Sequence, residues 1–190
     1  MNAKRLTRLL DLTFAFALFM VVLELDFPYP KSIEGIWRQH SVWLRVVGFS
    51  LWYLSLWVAQ YPLWDRARQV NGGAVLLGVG QAAGLLMVSC LMNWNLYYRK
   101  VRLFQGMLGG AAMLTLACCW LLARALERTN DGCHEAAARQ RRTLAVAFGI
   151  VAVGVVFCVL GSQRSAVYAI MLSGLWMMGD SAVGMVAGRH

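Results

Sequence analysis

The chain has 190 residues, of which 59% are hydrophobic and 14% charged, and its formal net charge is +9 at pH 7. Because soluble domains carry about 25% charged residues, this composition and a mean hydropathy of +0.57 exclude an ordinary soluble domain. The sequence predicts an integral membrane protein.

Six apolar runs follow one another along the chain, and each approaches the roughly 20 residues that a helix needs to cross a bilayer. They span residues 9–25, 42–64, 74–94, 103–126, 144–160 and 166–186. The first run lacks a small-residue cleavage site, so we interpret it as a retained helix and not as a signal peptide. The predicted fold class is all-α, with six transmembrane helices in a single domain over residues 1–190.

The first run contains an acid, Asp11, about a turn inside a basic entrance formed by Lys4, Arg5 and Arg8. An ionisable group at that depth is costly unless it is paired or faces water. Asp11 is therefore a candidate functional residue. A charged entrance followed by an apolar, aromatic helix is typical of a pore-lining helix.

A stripe of large apolar residues follows Asp11. Phe16, Phe19 and Leu23 share one face of the helix, with Leu12 a turn earlier. One interpretation is that this stripe contacts lipid or the core of the bundle. The other is that it lines a hydrophobic constriction, which stops ions by dewetting. The residues alone leave both interpretations open.

The later runs contain fewer candidate residues. Trp52 and Trp57 fall inside the second run and are expected to pack in the protein or contact lipid. Asp180, in the sixth run, is expected either to cap a broken helix or to contact an ion. Segment 127–142 is predicted to be the longest loop on the N-terminal side, serving as a solvated connector or a partner-binding surface.

Small residues recur four apart at Gly80 and Gly84 and at Gly106 and Gly110. This spacing lets helices approach closely in lipid and predicts tight packing, within or between subunits.

The basic residues predict the topology. They are spread over several segment ends, which favours membrane orientation over nucleic-acid binding, because Lys and Arg collect on the cytoplasmic side. With the N-terminus inside, that side holds 11 of the 18: Lys4, Arg5, Arg8, Arg66, Arg68, Arg124, Arg128, Arg139, Arg141, Arg142 and Arg189. Both termini are therefore predicted to be cytoplasmic.

Motifs for catalysis or for a bound metal or cofactor do not occur. His40, His134 and His190 lie outside the predicted helices, and the five cysteines form no Cys-x-x-Cys pair. Neither a His-Glu-x-x-His motif nor a phosphate-binding glycine loop is present. The sequence predicts a protein that is not an enzyme and uses no cofactor.

The segment from Arg5 to Pro28 resembles the first helix of the transmembrane protein 175 family, the lysosomal and prokaryotic potassium channels. The family signature Arg-x-x-x-Phe-Ser-Asp is matched at Arg5 and Asp11, while Leu9 and Leu10 replace the Phe and Ser. The resemblance identifies the chain as a divergent, prokaryotic-type member.

A second, weaker match lies at the end of the second run. There Trp57-Val-Ala-Gln-Tyr-Pro-Leu-Trp64 resembles the prokaryotic pattern Trp-Val-Asn-His-His-Arg-Leu-Phe.

The resemblance implies a single channel-like domain that assembles as a homotetramer, with helix 1 lining a central pore. It implies a potassium-preferring cation channel with a hydrophobic constriction at Phe16, Phe19 and Leu23. Arg5 and Asp11 are implied to anchor the inner end of the pore helix. The implied partners are potassium or other monovalent cations and membrane lipids, and the implied location is the bacterial inner membrane.

Two alternatives stay open. The chain could be a non-conducting, channel-like protein that serves membrane interaction or assembly, through segment 127–142. It could also be a small proton-coupled transporter that uses Asp180 or Glu24.

Overall fold

The computed structural model describes residues 3–23, 40–97, 101–162 and 164–187, with only the backbone described at 41, 95–97, 131 and 184–187. Every regular element in these ranges is helical. The long helices are α1 Ala3–Leu23, α2 His40–Arg66, α3 Gly72–Tyr97, α4 Arg102–Thr129, α5 His134–Leu160 and α6 Ser165–Ala187. A short 3₁₀ turn, Asp131–Cys133, separates α4 from α5.

All six helices are long and apolar enough to cross a membrane, which confirms the predicted fold class. The helices pack in a ring, in the order α1, α3, α4, α5, α6, α2 and back to α1. Within this ring α1 contacts mainly α2 and α3, so it lies at the edge of the bundle. The chain is an integral membrane protein.

The first pair of small residues lies where α3 packs against α4. A Cβ atom on Gly84 would lie 2.4 Å from Thr115 Oγ1, and one on Gly80 would lie 3.3 Å from Cys118 Sγ. Gly106 and Gly110 instead face open space. The predicted close packing is therefore confirmed for the first pair, within the subunit.

Helices α2 and α6 also approach each other closely, here with backbone against backbone. A Cβ atom on Gly174 would lie 2.9 Å from Trp52 Cα, and the Trp52 indole donates a hydrogen bond of 3.1 Å to Ser173 Oγ. Trp52 is fully buried, as expected for a packing residue. This contact leaves no room for a side chain at position 174.

A buried hydroxyl pair joins the first three helices. Tyr53 Oη and Ser89 Oγ lie 2.7 Å apart, and Tyr53 donates to the Leu85 carbonyl at 3.0 Å. Ser89 Oγ also lies 3.3 Å from the Ala17 carbonyl oxygen of α1. These bonds help to hold α1 at the edge of the bundle.

Segment 127–142 is not a loop. Helix α4 continues to Thr129 and α5 begins at His134, so the segment forms the closed end of a helical hairpin. Glu127 fixes the hairpin by pairing with His134 at 2.6 Å and with Arg141 at 3.0 Å. The sequence of 135–142 is compatible with a helix, as observed, but the predicted loop was too long because charged residues can end an apolar run without ending the helix that carries it.

The thiol within this hairpin is buried. Cys133 belongs to the 3₁₀ turn and packs in the inner part of the core. Burial raises the pKa of the Cys133 thiol, and the positive charge of Arg66 offsets part of that rise. The residue is a neutral packing group at neutral pH, as a small apolar cysteine would be.

Asp180 does not cap a broken helix, because α6 continues through it to Ala187. Its carboxylate accepts a hydrogen bond of 2.5 Å from Thr143 Oγ1 and lies 3.7 Å from Arg139 Nε. Arg139 also donates to the Asp180 backbone carbonyl. The acid therefore joins α5 to α6 as a paired charge, while Glu24 lies outside the described residues.

Candidate functional site

Helix α1 has two different faces. One face packs into the subunit through small and large apolar residues, namely Ala3, Leu6, Leu10, Phe14, Ala17 and Val21. The other face is open: Phe16 is 51% exposed, Phe19 55% and Leu23 58%. The three predicted constriction residues thus lie together on the face of α1 that the rest of the subunit leaves uncovered.

The exposed stripe has a regular spacing. Leu9, Leu12, Phe16, Phe19 and Leu23 are separated by alternating steps of three and four residues, and all are exposed. A repeat of 3.5 residues keeps a seam of apolar side chains pointing toward a shared axis when helices associate. Ala15 and Val22 are exposed as well, so this row is one part of a wider apolar face.

Asp11 lies beside this stripe and faces α2. Its Oδ1 accepts a hydrogen bond of 2.8 Å from the indole of Trp57. Trp57 therefore does more than pack or contact lipid, because it joins α2 to the acid of α1. The signal that could have identified this bond was the presence of Asp11 and Trp57 in the two segments that carry the family resemblance.

Arg5 lies at the N-terminal end of the exposed stripe, four residues before Leu9. Its side chain is exposed, and in the part of the chain that the structure describes no ion pair joins Arg5 to Asp11. The two predicted anchoring residues thus occupy different sides of α1.

A cavity of about 350 Å³ opens beside Asp11, between the N-terminal half of α1 and the C-terminal half of α2. Both basic and acidic side chains line it: Lys4, Arg8, Asp11 and Asp65. A polar opening of this size can hold water, which lowers the cost of keeping Asp11 charged near the membrane.

The floor of this cavity leads to buried amides that sequence reasoning did not identify. Gln60 lines the cavity and accepts a hydrogen bond of 3.1 Å from Gln81 of α3. Gln60 Nε2 in turn lies 3.2 Å from Cys119 Sγ of α4. Both glutamines fall within apolar runs, and the sequence around a single amide does not indicate which residue it will bond.

The Trp57–Asp11 bond can be measured with a double-mutant cycle. Trp57→Phe and Asp11→Ala should each lower stability by about 1 kcal/mol, because a bond to a charged acceptor is lost at a partly exposed site. The double variant should be little worse than either single variant, as measured by thermal unfolding in detergent. Trp176→Phe, at an exposed tryptophan of α6, is the matched control. Strictly additive losses would contradict the proposed bond.

Comparison with known proteins adds one likeness. No protein-family model matches the chain, and no curated protein matches it. Among solved structures, the chain is similar to a lysosomal potassium-selective channel TMEM175 homolog from Chamaesiphon minutus. The TM-score is 0.77 at 15% identity, over 94% of this chain and 97% of that chain. The likeness agrees with the resemblance seen in α1, and the chain has the fold of the TMEM175 homolog channel.

Proposed function

We propose that the chain is one subunit of a homotetrameric, potassium-preferring cation channel whose central pathway is lined by α1. The observation that carries this proposal is the regular seam of exposed apolar residues on α1, from Leu9 to Leu23. The seam lies on the outer face of the subunit, so it can line a pore only if several subunits share an axis. Four copies of α1 around one axis provide this arrangement. The four-fold number and the ion come from the resemblance and from the potassium selectivity in the name of the structural neighbour.

In this assembly Phe16 and Phe19 form the narrow part of the pathway. Their side chains are half exposed in the single subunit, so they are free to meet their symmetry copies. Rings of phenylalanine exclude water, and an ion that must shed its hydration cannot pass until the ring widens. The constriction therefore acts as a hydrophobic gate.

Asp11 and Trp57 fix the helix that carries this gate. Their hydrogen bond joins α1 to α2 at the inner half of the subunit, below the phenylalanines. A fixed inner half allows the rest of α1 to move by small rotations that turn Phe16 toward or away from the axis. Asp11 also places negative charge beside the cavity, which favours cations at the entrance.

The proposed orientation has both termini in the cytoplasm of a bacterium, with the protein in its inner membrane. Six crossings return the chain to the side on which it began. The excess of Lys and Arg on that side supports the assignment.

A non-conducting assembly protein is the second candidate function. The bulk of Phe16 and Phe19 favours it, since eight phenylalanine rings around a four-fold axis can seal a pathway permanently. The hairpin at 127–142 does not favour it as a docking loop, because Glu127 is already paired within the subunit.

Flux through the parent protein distinguishes the two functions, and cadmium block tests the position of Phe16. Phe16→Cys in potassium-loaded vesicles should conduct, and Cd²⁺ should stop the flux because several thiolates around one axis bind a soft metal tightly. A chelator should restore the flux. Val22→Cys is the matched control, since Val22 is also exposed but lies about 120° around α1 from Phe16. The parent protein controls for the native cysteines.

Three outcomes of these measurements distinguish the hypotheses. Equal block of Phe16→Cys and Val22→Cys would contradict the placement of Phe16 on the axis. No flux from the parent or from Phe16→Cys, at several voltages and pH values, would contradict the channel. Oxidative cross-linking of Phe16→Cys without any flux would favour the assembly protein.

A further inference from the structure

A second cavity of about 880 Å³ lies among α2, α5 and α6. It opens at the inner ends of the helices, because Arg66 is the last residue of α2 and Glu135 the second residue of α5. The wall contributed by α2 is apolar and aromatic, with Trp57, Val58 and Pro62. A cleft that is apolar on one wall and charged at its mouth lies where lipid headgroups meet acyl chains.

Part of the polar lining is already satisfied. Asp180 is held by Thr143 and Arg139, as described above. These three groups close the floor of the cleft and join α5 to α6. They are not free to bind a ligand.

The rest of the lining includes a basic and an acidic side chain that do not pair with each other. Arg66 and Glu135 both line the cleft, and neither forms an ion pair with the residues that the structure describes. Gln140 also lines the cleft and is only 4% exposed, and its Oε1, which is itself buried, accepts no hydrogen bond from the residues that the structure describes. A buried acceptor without a donor is costly, so this cleft lacks one cation, one anion and one N–H donor.

We infer that the cleft binds a zwitterionic phospholipid whose headgroup has a primary ammonium group. The phosphate pairs with Arg66, the ammonium group pairs with Glu135, and an ammonium N–H reaches Gln140 Oε1 after rotation of the terminal amide. The acyl chains lie along Val58 and Pro62. A choline headgroup has no N–H to donate, and an anionic headgroup would meet Glu135 without a compensating cation.

This inference goes beyond the proposed channel and does not depend on conduction. The binding site lies in a single subunit and uses neither Phe16 nor Asp11. Trp57 and Tyr61 line both this cleft and the cavity beside Asp11. The site therefore adjoins the pore helix without being part of its seam.

Lipid retention tests the inference. The purified full chain in detergent is mixed with phosphatidylethanolamine, phosphatidylcholine or phosphatidylglycerol of identical acyl chains, and bound lipid is counted by native mass spectrometry. The parent should retain phosphatidylethanolamine about tenfold better than the other two, the effect of one charge-assisted bond. Glu135→Ala should abolish that preference, whereas Arg66→Ala should lower the retention of all three lipids, because each of them carries the phosphate.

Matched controls use neighbouring charges that do not line the cleft. Arg68→Ala and Asp65→Ala should retain the preference of the parent. Gln140→Leu removes an unpartnered amide, so it should fold at least as stably as the parent and still lose the preference. It keeps the test valid even if a charge variant folds poorly.

Two results would overturn the inference. Equal retention of the three lipids by the parent would remove the headgroup recognition. Displacement of bound lipid by free phosphoethanolamine would show that the site recognises the soluble headgroup and not a phospholipid. If free phosphoethanolamine does not displace the bound lipid, the result supports a phospholipid as the ligand.

Discussion

Replacing Phe16 with alanine should raise potassium flux through the reconstituted protein by about tenfold or more, which corresponds to a barrier lowered by about 1.4 kcal/mol. The reason is that, in the proposed tetramer, the substitution removes four aromatic rings from the narrowest part of the pathway. The wider ring admits water, and a hydrated ion then crosses without losing its shell. Flux is measured in potassium-loaded vesicles with matched protein content.

Val22→Ala provides the control for this prediction. Val22 is on the same helix and is also exposed, but it does not belong to the seam. The potassium flux through the Val22→Ala variant should equal that through the parent protein. If Phe16→Ala left flux unchanged while the protein remained folded, Phe16 would not form the constriction.

Gly174→Val should destabilise the fold by about 3 kcal/mol, at the upper end of the range for overpacked cores. A Cβ atom at this position would meet the backbone of Trp52, 2.9 Å away at Cα. Backbone cannot yield as a flexible side chain does, so α2 and α6 must separate. Separation also weakens the hydrogen bond between Trp52 and Ser173. Thermal unfolding in detergent measures the loss.

Gly179→Val is the matched substitution on the same helix. A Cβ atom on Gly179 meets nothing within 4 Å, and valine is a better helix former than glycine. Its stability should therefore equal or slightly exceed that of the parent. A comparable loss in both variants would mean that the effect arises from α6 itself and not from the contact with α2.

The helices could be predicted from the sequence because crossing a bilayer requires a long apolar run. Their ends could not, since α4 and α5 extend past their apolar runs through charged turns. Glu127, His134 and Arg141 look like loop residues by composition, yet they lie within two helices, and Glu127 pairs with both of the others.

The candidate site likewise has features that the sequence predicts and features that it does not. The apolar stripe of α1 was predicted from helical spacing, because that spacing is local. The bond from Trp57 to Asp11 and the pairing of Arg139 with Asp180 join residues that are 46 and 41 positions apart. Only the packing of whole helices brings such residues together. Periodicity says nothing about which helix will be the neighbour.

The limited burial of α1 predicts which part of the molecule unfolds first. Only 28% of its apolar window is buried, against 33–50% in the other five helices. A segment with few buried contacts opens first under native conditions. In an isolated subunit, amide hydrogen exchange should therefore begin along α1. Assembly, by covering its outer face, would be the final step of folding for this helix.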